Sequence, residues 1–236
     1  MSAGAFLHQT TSKPKHRVRV WDLPTRLFHG LLVVLVVCLF ITAYIGALDW
    51  HMRIGCAMLA LLLFRLVWGV VGGHWSRFAR FLPSPRRIWA RLGAKADVEP
   101  ETLGHKPLGA LSVWAMLLVL FAQVLSGLLS DDDIAYAGPW AHRVPEAVSH
   151  WMTDYHAAIG QWLLVVLVLL HLGAVFFYLL AKKENLIGPM WHGDKMPRLT
   201  TVPSPASRDD LRTRLLALGL LLACVASSWY LTGFAA

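Results

Sequence analysis

Apolar positions along this 236-residue chain gather into five long runs, approximately 24–47, 52–72, 108–130, 156–181 and 213–234. Each is long enough to cross a hydrocarbon core, which takes roughly 20 helical residues, so each predicts a transmembrane α-helix. The first run follows a polar and basic arm and is too long for the apolar core of a cleaved leader, so it is expected to stay as an anchor. Between 144 and 154 the pattern predicts a short interfacial helix. In 78–92, Phe78, Phe81, Ile88, Trp89 and Leu92 alternate with arginines, which suits a segment lying on an anionic leaflet. The Pro/Ser-rich stretch 197–207 reads as a linker to the fifth run.

Composition agrees with the spans: 56% of residues are hydrophobic, 15% are charged, and the mean hydropathy is +0.53. A soluble domain carries about 25% charge, so a water-facing globule is excluded. A net charge of +8 ordinarily suggests nucleic acid, but the placement of the charge gives another cause. Nineteen of the 22 Lys and Arg residues fall in the N-terminal arm, the loop after the second run and the segment after the fourth. These three lie on one side of the membrane. The positive-inside rule makes that side cytoplasmic, with the N-terminus inside and the C-terminus outside. Nucleic acid is not needed. The opposite face carries an acidic loop with Asp131, Asp132, Asp133, Glu146 and Asp154 against Arg143. Cys38, Cys56 and Cys224 all fall within runs, unpaired in sequence, and read as small apolar packing residues.

Four of the eleven histidines, His29, His51, His156 and His171, lie at or within the runs. Ionisable groups at membrane depth are costly, and their presence points to function. His29 begins the first run on the cytoplasmic side, while His51 and His156 open the second and fourth on the external side. His171 follows His156 by fifteen residues, about 22 Å deeper and about 60° around an α-helix. The depths pair His51 with His156 near the outside and His29 with His171 nearer the cytoplasm. Two imidazoles from facing helices suit the axial positions of a haem iron. Gly55 and Gly160 follow His51 and His156 by four residues, and Gly30 and Gly173 stand near the other two. Bare backbone at these places admits a broad cofactor or close helix packing. Arg65 places a buried cation near the inner pair, where a haem propionate satisfies it. A metal-ion transporter also buries histidines, but gathers its ligands at one depth, and these split into two levels.

The stretches VWDLPTRLFHG (20–30), WHMRIGCAMLALLLFRLVWGVVG (50–72), GHKPLGA (104–110) and YHAAIGQWLLVVLVLLHLG (155–173), followed by KKENLIGPM (182–190), resemble the bacterial cytochrome b561 family. That family is related to the membrane cytochrome b subunits of nickel-iron hydrogenases. The resemblance implies an all-α integral membrane protein whose four-helix bundle holds two haem b groups by bis-histidine ligation. The implied ligands are His29, His51, His156 and His171. The division that follows is a cytoplasmic arm (1–23), a four-helix cytochrome b domain (24–190), a cytoplasmic linker (191–212) and an additional transmembrane helix (213–236). The family spaces its fourth-span pair by about fourteen residues against fifteen here. A local π-bulge or a different upper ligand, His150, accommodates the extra residue. His156 is preferred, because His150 lies about 9 Å further out along a continuous helix.

By resemblance, one end of such a protein exchanges electrons with ubiquinone or menaquinone and the other with a redox partner. Trp21, Arg26, Arg65, Trp68 and His105 are the cytoplasmic-side candidates for quinone contact, or ordinary interfacial anchors. Some family members resemble superoxide-to-quinone oxidases, but Asp131–Asp133 repel an anion and suit a cationic periplasmic c-type cytochrome. The expected function is therefore electron transfer between quinone and a periplasmic redox protein across a bacterial inner membrane. A hydrogenase or dehydrogenase cytochrome b subunit is the nearer alternative, and a homodimer is compatible with either.

Overall fold

The computed structural model describes residues 17–82, 103–196 and 205–233. Helix α1 (Leu23–Tyr44) begins where Asp22 accepts the Thr25 N–H at 2.8 Å, with a proline in the first turn. Both features stabilise a helix start. Three residues later, past Gly46 at φ +71°, the chain turns back into α2 (Leu48–Val71). That left-handed backbone favours glycine. A 3-10 turn (Phe78–Arg80) follows, then α3 (Pro107–Leu129), a second 3-10 turn (Ala141–Arg143) and α4 (Glu146–Leu180). Within α4, residues Tyr155–Gly160 form a π turn. Short α5 (Ile187–His192) and long α6 (Leu211–Thr232) complete the chain. Among the described residues, five helices are thus long and apolar enough to span a membrane.

Two expectations are corrected. The short helix over 144–154 is not separate: it runs on through the π turn into the fourth span as one 35-residue helix. No proline or glycine-rich break interrupts 146–159, and Pro145 stands at its start. Nor do Phe78 and Phe81 lie outward on a surface. The Phe78 ring packs 4.7 Å from that of Trp114 and the Phe81 ring 4.3 Å from that of His105, both tilted, because the chain after α2 folds back over Arg65. Ile88, Trp89 and Leu92 fall outside the described residues.

Helix α2 is the hub, packed against α1, α3 and α6. Its Met58, Leu62, Phe64 and Trp68 form a core with Leu117, Leu120 and Val124 of α3 and Leu164 of α4. α3 pairs with α4, so the four spans form two hairpins, α1–α2 and α3–α4, joined chiefly through α2 and α3. α4 leaves Trp162, Leu169, Leu170 and Phe177 exposed, as a lipid-facing helix does. α6 is anchored to α2 by Ser228 Oγ donating to the Cys56 carbonyl at 2.7 Å, and to the α3–α4 connection by Trp140 Nε1 donating to the Leu231 carbonyl at 2.7 Å.

The end bearing residues 17–22 is the inner end; the end bearing Gly46 and residues 130–145 is the outer end. At the inner end β1 (Val18–Arg19) pairs antiparallel with β2 (Asp194–Lys195). Arg19 bridges Asp194 at 2.7 Å and Asp209 at 2.8 Å. Burial would raise the Asp209 carboxyl, but bonds from Arg214 and the Leu23 N–H, with the Arg214 and Arg19 charges, bring it below its ordinary value. The last residues of the linker are therefore docked, with Ser207 Oγ donating to the Val20 carbonyl at 2.7 Å.

Candidate functional site

At the outer end His51, in the first turn of α2, faces His156, in the π turn of α4. Their ring centroids are 5.9 Å apart with planes at 88°. His51 Nδ1 lies 3.0 Å from the Leu39 carbonyl, and His156 Nδ1 lies 2.8 Å from the Gln123 carbonyl. A carbonyl oxygen only accepts, so each Nδ1 carries the proton and each Nε2 keeps its lone pair. That is the tautomer of a metal-ligating histidine whose second nitrogen is tethered. Two metal–nitrogen bonds of about 2 Å, plus the reach from each nitrogen to its ring centre, need centroids roughly 6 Å apart. The pair fits that requirement.

Between the two hairpins lies a cavity of about 320 Å³ walled by His51, Gly55, Gln123, Gly127, Tyr136 and His156. Its lining is mostly apolar, as for a flat hydrophobic cofactor. A Cβ on Gly55 would meet nothing within 4 Å, whereas one on Gly127 would press on His156 Cε1 at 2.8 Å. Gly160 serves another purpose. A side chain there would overlap Gln123 Oε1, so its bare backbone lets α4 approach α3. His150 does not line the cavity: its Nε2 lies 2.6 Å from Asp133 Oδ2 on the outer surface. Ser130, Asp132, Tyr136 and Pro139 of the acidic loop close over the cavity. Asp132 accepts from the Tyr136, Ala135 and Ile134 N–H groups, which hold its carboxyl below the ordinary carboxylate value.

Toward the inner end His29 of α1 and His171 of α4 are half-buried and within electrostatic reach of each other. Gly30 and Gly173 beside them have open space around them. Arg65 is only 4% exposed. Its Nη2 donates to the Ser76 carbonyl at 3.2 Å, while its enclosed Nη1 has no partner among the described residues. Its guanidinium lies 4.5 Å from the Phe78 ring centre and 5.8 Å from that of Phe28, next in sequence to His29. A buried cationic donor without an acceptor is a place an anionic oxygen fits.

Other inner-end candidates divide. Trp68 Nε1 donates to Asp22, so it holds the fold. Arg26 Nη1 donates to the Trp191 carbonyl at 2.7 Å. His105 packs between Trp21 and Phe81 with Nδ1 enclosed and unpartnered among the described residues. Burial first, and the Arg65 charge second, push its pKa down to about 3. Three residues missed by sequence reasoning matter here: Asp22, Gln123 and Gly127. Asp22 is fully buried and accepts from the Thr25 and Gly73 N–H groups, Ser76 Oγ and Trp68 Nε1, tying α1 to the end of α2. Its position just before Leu23-Pro24 is a helix-capping signal. Gln123 and Gly127 carry no such local mark.

A sequence model of the prokaryotic cytochrome b561 family matches residues 20–193, and the chain belongs to that family. The protein is accordingly a multi-pass membrane electron carrier of the b-type haem class. It is 26% identical over 214 residues to a probable Ni/Fe-hydrogenase B-type cytochrome subunit of Azotobacter chroococcum, covering 76% of this chain and 88% of that one. The corresponding protein of Bradyrhizobium diazoefficiens is 23% identical over 214 residues, covering 77% and 87%. A probable Ni/Fe-hydrogenase 1 B-type cytochrome subunit of Escherichia coli is 21% identical over 209 residues, covering 74% and 88%. No solved structure matches the chain.

Proposed function

We propose that the protein binds two haem b groups and carries electrons across a bacterial inner membrane between the quinone pool and a cationic periplasmic redox protein such as a c-type cytochrome. The observation that carries this reading is the outer histidine pair, tethered at both Nδ1 atoms and facing across a cofactor-sized cavity. His51 and His156 hold the outer group, and His29 and His171 the inner one. Gly55 gives the outer group room, and Arg65 Nη1 meets a propionate of the inner one. A haem held by two histidines supplies one-electron transfer and leaves no open coordination position. Nineteen of 22 basic residues on the inner side support a cytoplasmic inner end and a periplasmic C-terminus. The four proposed ligands fall within 24–190, which supports reading that segment as the haem domain and 213–236 as an accessory span.

The acidic loop supports the choice of partner, since Asp132 lines the outer cavity and Asp131 and Asp133 flank that residue in sequence. A cationic protein docking there is steered by charge, and steering weakens as salt screens it. Oxidation of the reduced protein by a basic c-type cytochrome is expected to slow as ionic strength rises. Asp133→Asn is expected to slow it at low salt only. Asp133 sits at φ +56°, which asparagine tolerates, so the turn survives the change. A rate indifferent to salt contradicts the docking site. The relatives' names favour a second reading, a cytochrome b subunit attached to a membrane-bound hydrogenase or dehydrogenase. Stoichiometric co-purification of such an enzyme decides for it. Metal-ion transport is the weakest alternative, since among the described residues no three His, Cys, Asp or Glu side chains group to hold a metal.

A further inference from the structure

Gln123 of α3 meets His156 at two points. Its backbone carbonyl takes the ring Nδ1–H at 2.8 Å, and its side-chain Nε2 donates to the His156 backbone carbonyl at 2.8 Å. Ser126 Oγ donates to the same Gln123 carbonyl at 2.9 Å and lies 3.2 Å from His156 Nδ1. The side-chain bond falls inside the π turn Tyr155–Gly160. A π turn inserts one residue and breaks the regular i→i+4 ladder, so its peptide groups need donors from elsewhere. Gly160 completes the arrangement, because any Cβ there would collide with the Gln123 amide.

The inserted residue also sets register. Fifteen residues containing one insertion turn like fourteen α-helical steps, which rotates His156 by about 100° relative to His171. Without an outside bond, such a turn at the end of a span has little to hold it.

We infer that Gln123 is a positioning residue for His156, gripping the ligand by its ring and by its peptide, and that with Gly160 it sustains the π turn on which the ligand sits. This rests on the proposed role of His156 as an axial ligand. Gln123→Met keeps the length of the side chain and removes the donor. Once the peptide is released, the ring is free to swing and its Nδ1–H bond to weaken. A weaker bond makes the imidazole a poorer donor to ferric iron.

The purified full-length Gln123→Met protein is expected to keep both haems. The outer haem's low-spin electron paramagnetic resonance signal should move and its midpoint potential rise, with the inner haem unchanged. Deleting Ala158 removes the inserted residue and the need for the amide, so Gln123→Met should be silent in that background. Should Gln123→Met alone fail to accumulate, the same substitution with Ala158 deleted should accumulate with both haems. A Gln123→Met protein with wild-type signal and potential overturns the inference, as does an effect undiminished by the deletion. So does failure of both variants to accumulate. His156→Ala separates this from the underlying reading: if it retains both haems, the ligand assignment falls and the inference with it. If it retains one, the Gln123 result alone decides.

Discussion

A single side chain decides more in this protein when it is buried beside a histidine than when it is exposed to lipid. Gly127 is the clearest case, because a Cβ there would press on His156 at 2.8 Å and 3.1 Å. Gly127→Val is therefore expected to lower the haem content from two per chain to about one, measured as a pyridine haemochrome against protein mass. A second residue-scale prediction concerns acid. His105 has its pKa pushed from 6.5 to about 3 by burial and by Arg65, so between those values the unfolded chain binds the proton more readily. Stability then rises with pH, and the contribution is lost as pH falls below 6.5. Glu184 acts lower. Burial would raise it, but Lys106 and Lys195 outweigh that and hold it below 4.5, so its loss begins under that value. Melting temperature in detergent should decline from about pH 6.5 to 4.5, and His105→Leu should flatten that decline; an unchanged slope contradicts the assignment. The histidines themselves were legible in sequence, because ionisable groups inside apolar runs stand out. Gln123 and Gly127 were not, since each acts on a residue some thirty positions away and has an ordinary helical neighbourhood.

At the scale of elements, the apolar runs predicted four of the five long helices to within a few residues at each end, as hydropathy does where water is absent. Where it erred was the fourth, split into an interfacial helix and a span although the chain is helical from 146 to 180. Polar residues at 146–154 mark the membrane boundary, and a boundary in polarity is not a break in the backbone. The π turn was legible only as an irregular spacing of His156 and His171, one of two ways to absorb the extra residue; the Gln123 partner that supports it is tertiary. Neither strand of the β1–β2 ribbon had a signal, each being two residues long and defined by pairing Val18 with Lys195 and Arg19 with Asp194, far apart in sequence. The fifth span, α6, covers one side of α2 and supplies none of the four histidines. Removing residues 211–236 is expected to keep two haems per chain while lowering the melting temperature by several degrees, the effect of losing the packing of α6 along α2, with Ala217 and Cys224 in the core, and the Ser228 and Leu231 hydrogen bonds. Loss of a haem from the truncated protein would show that α6 belongs to the cofactor domain.

As a whole molecule, the protein places its two histidine pairs on two pairs of helices that meet mainly through α2 and α3. The outer pair comes from α2 and α4, the inner pair from α1 and α4, so α4 contributes a histidine at each level. That arrangement, two histidine levels between a strongly basic end and an end closed by an acidic loop, suits a transmembrane electron carrier with two chemically distinct ends. The most direct test is a reduced-minus-oxidised visible spectrum of the detergent-purified protein, with haem counted per chain, for the wild type and for His51→Ala and His29→Ala. Two low-spin b haems are expected in the wild type and one in each variant, a different one lost in each case. A wild type with no haem, or variants that keep both, would contradict the two-haem reading.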